Sequence, residues 1–137
     1  MNKNTIIYVW CDWESTGIWV TYEKDPHLKN ADYQQFDLPQ ELIARFKYWE
    51  RWFSDAMPEW SNERNKTDKK LYDAYGFSLA IDLKRFVGDK NRVVYGSPTY
   101  VNGKPTYDGC AEIILVRRER VEKEEGRIVP IAVPYKQ

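Results

Sequence analysis

Apolar and polar positions along the chain fall into stretches with recognisable periods. Thr5–Trp13 (TIIYVWCDW) is a run of β-branched and aromatic residues suited to a pleated, half-buried surface. Ser15-Thr16-Gly17 is a turn, and Ile18–Glu23 (IWVTYE) then alternates. The two stretches predict an N-terminal β-hairpin with Ile18, Val20 and Tyr22 on one face and Trp19, Thr21 and Glu23 on the other. Asp25–Phe36 (DPHLKNADYQQF) has no period and is expected to be a loop. Asp37-Leu38-Pro39-Gln40-Glu41 has the features of a helix start: a capping acid, a proline tolerated in the first turn and an acid near the positive helix end. Leu42, Phe46, Trp49, Phe53 and Met57 recur at helical spacing and, with Ile43, predict an amphipathic helix over 39–57 that Pro58 stops. Tyr48 falls off that face and Trp52 lies on its flank.

Glu59–Lys70 is a charged connector expected to be mobile. A second helix is predicted from Thr67 or Asp68 to Val87, with Leu71, Tyr72, Tyr75, Leu79, Leu83 and Phe86 on its main face. Phe77 and Ile81 form a second stripe, and Gly88 supplies the stop. Gly76 inside this helix costs about 1 kcal/mol relative to Ala and suggests close helix packing there. Strands are predicted at Arg92–Tyr95 and Cys110–Arg118, and Asn102-Gly103 predicts a hairpin between Thr99–Val101 and Pro105–Tyr107. Glu119–Gly126 reads as a charged turn before a last strand, Arg127–Val133, which Pro130 confines to an edge.

The order β-β-α-α-β-β-β predicts an α+β two-layer sandwich: a largely antiparallel sheet with both helices packed on one face. The length of 137 residues suits one globular domain with a core that needs no metal or disulfide. No apolar run approaches the ~20 residues of a membrane span, and the amino terminus does not look like a signal peptide. Cys11 and Cys110, about 100 positions apart in apolar stretches, read as buried free thiols of a cytosolic protein. Formal charge is zero, but residues 1–63 hold six Lys/Arg against eleven Asp/Glu, a net of −5, and residues 64–137 hold fifteen against ten, a net of +5. Folding either interleaves the halves and cancels this field or leaves an acidic surface that steers a basic partner.

The inventory of catalytic groups is sparse. There is no glycine-rich phosphate loop, no Cys-x-x-Cys and no His/Cys spacing for a metal, so neither cofactor nor metal is expected. Asp12 and Glu14, two apart at a strand end, are the nearest approach to a carboxylate pair. His27, with Lys29, Arg64 or Arg92, would be the base of a small metal-independent ribonuclease. Tyr95, Tyr100 and Tyr107 beside Arg117, Arg118 and Arg120 would be the stacking surface of an RNA-associated protein, without the RRM order or its RNP1 pattern. The most unusual feature is the 15% aromatic content interleaved with acids. Large, stiff, amphipathic rings are preferred anchors of protein interfaces. The candidate partner-binding residues are Asp12, Trp13, Glu14, Trp19, Glu23, Asp25, Tyr33, Tyr48, Trp52 and Asp55, with Asp32, Glu59 and Trp60 close by in sequence. An adaptor with some other protein partner would use the same surface.

Two segments, LPQELIARFKYWERWF and YDAYGFSLAIDLKRFVGDKNRVVY, share a layout: Leu-Pro, a helix ending in W-x-x-W-F, a charged gap, G-x-x-L-A-x-x-L and a V-x-Y strand. With the opening IYVWCDWESTGIWV, this layout resembles small bacterial immunity proteins of polymorphic toxin systems, including the antidotes of contact-dependent growth inhibition, over roughly residues 5–96. The resemblance implies a stoichiometric cytosolic inhibitor of one toxin domain, expected to be of nuclease type, with no active site of its own. It implies no nucleic acid, membrane or small-molecule substrate as partner.

Overall fold

The computed structural model describes residues 5–62, 65–117 and 128–135. Its main sheet contains β1 (Ile6–Val9), β2 (Ile18–Tyr22), β3 (Asp25–Asn30), β4 (Arg92–Tyr95), β7 (Ala111–Arg117) and β8 (Ile128–Pro134) in the spatial order β3-β2-β1-β4-β7-β8. A separate hairpin pairs β5 (Thr99–Val101) with β6 (Lys104–Thr106). Its turn residues Asn102 and Gly103 both have positive φ, 52° and 78°, as an Asn-Gly hairpin requires. All neighbouring strands are antiparallel except β1 and β4, which run parallel with Ile7 opposite Val93. Between β3 and β4 the chain forms α1 (Gln40–Ala56) and α2 (Lys66–Val87). The helices are antiparallel, Arg45 meeting Asp82 and Trp52 meeting Asp68, and α2 returns the chain to the starting end of β1, where β4 enters in the same direction.

The fold is the expected α+β sandwich. Ile7, Val9, Ile18, Val20, Val93 and Ile113 share a core with Phe46 and Trp49 of α1 and Leu79, Ala80 and Leu83 of α2. The opposite sheet face buries Ile6, Tyr8, Val94, Cys110 and Tyr135, with no helix above it among the described residues. Trp49 is the central piece. It is 1% exposed, stacks on Tyr72 with ring centres 5.0 Å apart, and donates its indole N–H to the Tyr72 carbonyl at 3.1 Å. Gly76 lies directly beneath that indole, which accounts for a glycine in mid-helix. Both cysteines are buried and unpaired, and burial pushes both thiols up.

Several expectations need correcting. Residues 25–30 form edge strand β3, with Val20 opposite Lys29, rather than a loop. An edge strand hydrogen-bonds on one side only and tolerates a polar, proline-bearing sequence, so its period-2 signal was absent. Tyr33–Phe36 then form a 3-10 turn closed by Asp37 in the left-handed region, φ 51°. Asp37 therefore does not cap α1, and Pro39 stands just before the helix with no side-chain cap. On α2, Leu71 and Phe86 are 57% and 42% exposed, while Gly76, Ala80 and Lys84 are buried instead. Small residues let α2 lie close to its neighbours, and the Lys84 ammonium is satisfied by the Asn91 carbonyl at 2.7 Å. The helix begins at Lys66, earlier than expected. The β8 edge position agrees with Pro130, and the charged turn at 119–126 lies outside the described residues.

Candidate functional site: an aromatic collar on the first helix

The connection between β1 and β2 is built to hold its residues against α1. Trp10 N–H donates to the Gly17 carbonyl at 3.0 Å, and the Ser15 hydroxyl accepts from the Asp12 and Gly17 amides. That hydroxyl donates in turn to Glu50 of α1 at 3.2 Å. Burial raises the Glu50 carboxyl above its ordinary range, against the hydrogen bonds it accepts from Cys11 and Ser15. Asp12 accepts the Trp13 amide at 2.8 Å, and Glu14 adopts φ 58°. The Trp13 ring lies edge-on against Phe53, centres 5.4 Å apart, and remains 52% exposed.

Ring contacts continue from Phe53 around the carboxyl end of α1. Phe53 meets Trp60, Trp60 meets Tyr72 at 4.6 Å, and Tyr72 meets Trp52. Trp52 meets Tyr48 and Tyr75, which also meet each other. Asp68, in the first turn of α2, fastens this collar by accepting the indole N–H groups of both Trp60, at 2.7 Å, and Trp52, at 3.2 Å to each oxygen. Lys69 lies 5.5 Å from the ring centres of Trp60 and Tyr72 while pairing with Asp73. Phe53 and Tyr48 are five residues apart, about 140° around the helix axis. Trp13 and Tyr48 therefore project on opposite flanks of α1.

The polar ends of the aromatic side chains separate structural rings from available ones. Trp19, Trp49, Trp52 and Trp60 each donate their N–H internally. Trp10, Trp13 and Tyr48 make no such bond among the described residues, and they are 42%, 52% and 59% exposed.

The ten sequence candidates thus fall into three places. Asp12, Trp13, Glu14, Tyr48, Trp52 and Asp55 surround the carboxyl half of α1, with Trp52 half-buried and the others exposed. Tyr33 is half-buried beneath the β1–β2 turn, donates its hydroxyl to the Thr16 carbonyl at 2.9 Å, and is pushed up to about 12 by burial. Trp19 lies on the sheet face away from the helices, with Glu23 and Asp25 at the β2–β3 turn. Asp25 pairs with Lys29 at 2.5 Å and His27 at 3.1 Å, and these bonds, Lys29 first, hold its carboxyl down at about 2. Sequence reasoning missed Asp68 as the fastener and Trp10 as an available ring. Nothing in the spacing marks Asp68, whereas Trp10, a bulky residue just past a fully buried strand, was open to notice.

His27 is 86% exposed on β3, where it shares Asp25 with Lys29; Arg92 lies three strand positions and about 14 Å away on β4 and binds Glu112 through two 2.9 Å bonds, and Arg64 lies outside the described residues. Tyr95 packs toward the helices while Tyr107 packs on Tyr135 across the sheet, so the proposed stacking tyrosines do not share a face; Arg118 and Arg120 lie outside the described residues. Among the described residues no group of three or more His, Cys, Asp or Glu is placed to hold a metal, and no helix is long and apolar enough to cross a membrane. A crevice of about 470 Å³ opens beside Trp10, between residues 96–99 and 108–110, with Asp108 as its one acidic side chain.

Residues 5–98 match the model of the family described as Serratia CdiI immunity protein-like. The chain belongs to that family. No curated protein matches it, and no solved structure does. The CdiI-like match runs from the residue before β1 to three residues past β4, and so takes in the first three strands, both helices, the whole collar and the strand that closes the core. CdiI-like proteins are immunity proteins for toxins of contact-dependent growth inhibition, whose role is to bind a cognate toxin protein.

Proposed function

We propose that this CdiI-like chain neutralises, in the cytoplasm, a nuclease-type toxin domain by forming a one-to-one complex through the collar on α1, without catalysing a reaction. The observation that carries this reading is the pair Trp13 and Tyr48, each more than half exposed, polar end unengaged, and braced from behind by other rings. Rings held in place lose little conformational freedom on binding and bury much apolar area. Asp12, Glu14 and Asp55, all exposed beside them, suit the basic surface with which a nuclease holds phosphates. A toxin gripping both rings would straddle the carboxyl end of α1. Trp19, Glu23, Asp25 and Tyr33 then serve the scaffold or the rim.

The test is co-expression with the toxin domain encoded beside this chain, purification of the complex and calorimetric titration. The expected result is a tight one-to-one complex that abolishes the toxin's nuclease activity. Trp13→Ala and Tyr48→Ala should each weaken it by about 2–4 kcal/mol while the variants stay folded. A toxin domain that does not bind, or two variants that bind as wild type does, refutes the reading.

A further inference from the structure

The flank of α1 that carries Tyr48 holds more than an exposed ring. Tyr48, Arg51, Trp52, Asp55 and Asp68 line a depression of about 330 Å³. Tyr48 and Trp52 both line it, in edge-to-face contact with each other, rings inclined at 62° and centres 6.1 Å apart. Asp68 contributes a carboxylate immobilised by two indole donors that neutralise none of its charge. Asp55 stands at the rim in the last turn of α1, where the helix dipole disfavours an acid and no basic residue is present. Among the described residues Asp55 makes no ion pair, even with Arg51 four positions earlier. An acid placed against its own helix with no internal compensation is the kind of local inconsistency that marks a functional position.

We infer that this depression receives a cationic side chain, an arginine or lysine, of the bound toxin, packed against Tyr48 and Trp52 and neutralised by Asp55 and Asp68. The inference rests on the reading of the collar as the toxin-binding surface and names the chemistry of one contact within it. The complementarity is twofold: aromatic faces attract a cation through their quadrupoles, and the carboxylates attract it by charge. Arg51 forms the wall toward a second depression of about 300 Å³ lined by Ala44, Lys47 and Tyr48, where the sign of charge reverses. The surface is thus polarised along α1, and the toxin segment lies with its base at the Asp55 end.

Two measurements test this. The first follows the indole N–H resonance of Trp52 in the free protein during titration with N-acetyl-arginine amide and, separately, with its neutral citrulline counterpart. A saturable shift with the arginine compound alone is expected, and Asp55→Asn should reduce it. Equal responses, or none, overturn the inference. The second compares Asp55→Asn with wild type for binding of the cognate toxin domain at two salt concentrations. A loss of roughly tenfold at low salt that narrows at high salt is expected. If Asp55→Asn binds the toxin as wild type while Trp13→Ala is impaired, the cationic contact fails and the toxin-binding reading stands. If neither substitution matters, both fail.

Discussion

Replacing Gly76 by Ala places a methyl group where the Trp49 indole already is. A Cβ built on Gly76 stands 2.6 Å from Cε2 and 3.0 Å from Nε1 of Trp49, and nearer still to Cζ2. The indole has nowhere to retreat, since it is 1% exposed, stacked on Tyr72 and bonded to the Tyr72 carbonyl. Alanine favours a helix over glycine by about 1 kcal/mol, so at an open helical site the change would stabilise the protein. Overpacking a tight core costs about 1–3 kcal/mol. Pulling the indole off its carbonyl leaves a buried donor unsatisfied, for another ~1–3 kcal/mol. The balance is a destabilisation of about 1–5 kcal/mol, whose midpoint corresponds to a fall in Tm of roughly 10 °C at this chain length. Urea unfolding followed by tryptophan fluorescence measures it, with Ala74→Gly on the exposed side of α2 as the propensity scale. A Gly76→Ala protein as stable as wild type, or more so, would refute the packing argument. Because Tyr72 also supports Trp52 and Trp60, displacement of Trp49 should loosen the collar itself.

Three further outcomes are expected. Glu50 is held above its ordinary range by burial, so the folded state binds its proton more tightly than the unfolded state does; stability falls as pH rises through the carboxylate range. Glu50→Gln should therefore be more stable than wild type at neutral pH, with the gap closing in acid, as denaturant titrations across pH would reveal. Asp25 should titrate near 2 in carboxyl NMR, since Lys29 and then His27 favour its charged form; the associated stabilisation is present above the unfolded-state value, is lost as pH falls toward 2, and the titration should move up in Lys29→Met. Cys11 and Cys110, buried and with thiols pushed up, should react with a thiol reagent only as fast as the protein opens, and rapidly in denaturant.

Much of the fold was legible because its signals are local. The 4-3-4 spacing of Leu42, Phe46, Trp49 and Phe53, the Asn-Gly turn and Pro130 each state their own context without reference to distant residues. The parallel pairing of β1 with β4 has no local signature; it follows from where two helices return the chain. Edge strand β3 was invisible because an edge demands neither alternation nor apolarity. Tyr48 was legible as a ring off the buried stripe, and Gly76 as a contact point. Asp68 was not, since a carboxylate shared by two indoles 8 and 16 positions away exists only once α1 has been laid against α2. Leu71 and Phe86 misled for the complementary reason: their spacing is that of a core face, but small residues beside them let the neighbours approach closer on another line.

The central place of β1 bears on when a newly made chain begins to protect. The residues that line the collar are all synthesised by Tyr75, yet the strand beside them has an open side until Tyr95 has emerged and β4 docks. A nascent polypeptide that already carries every gripping residue is therefore unable to hold them in place. On the proposed reading, protection waits on the docking of a four-residue strand that carries none of the collar's residues.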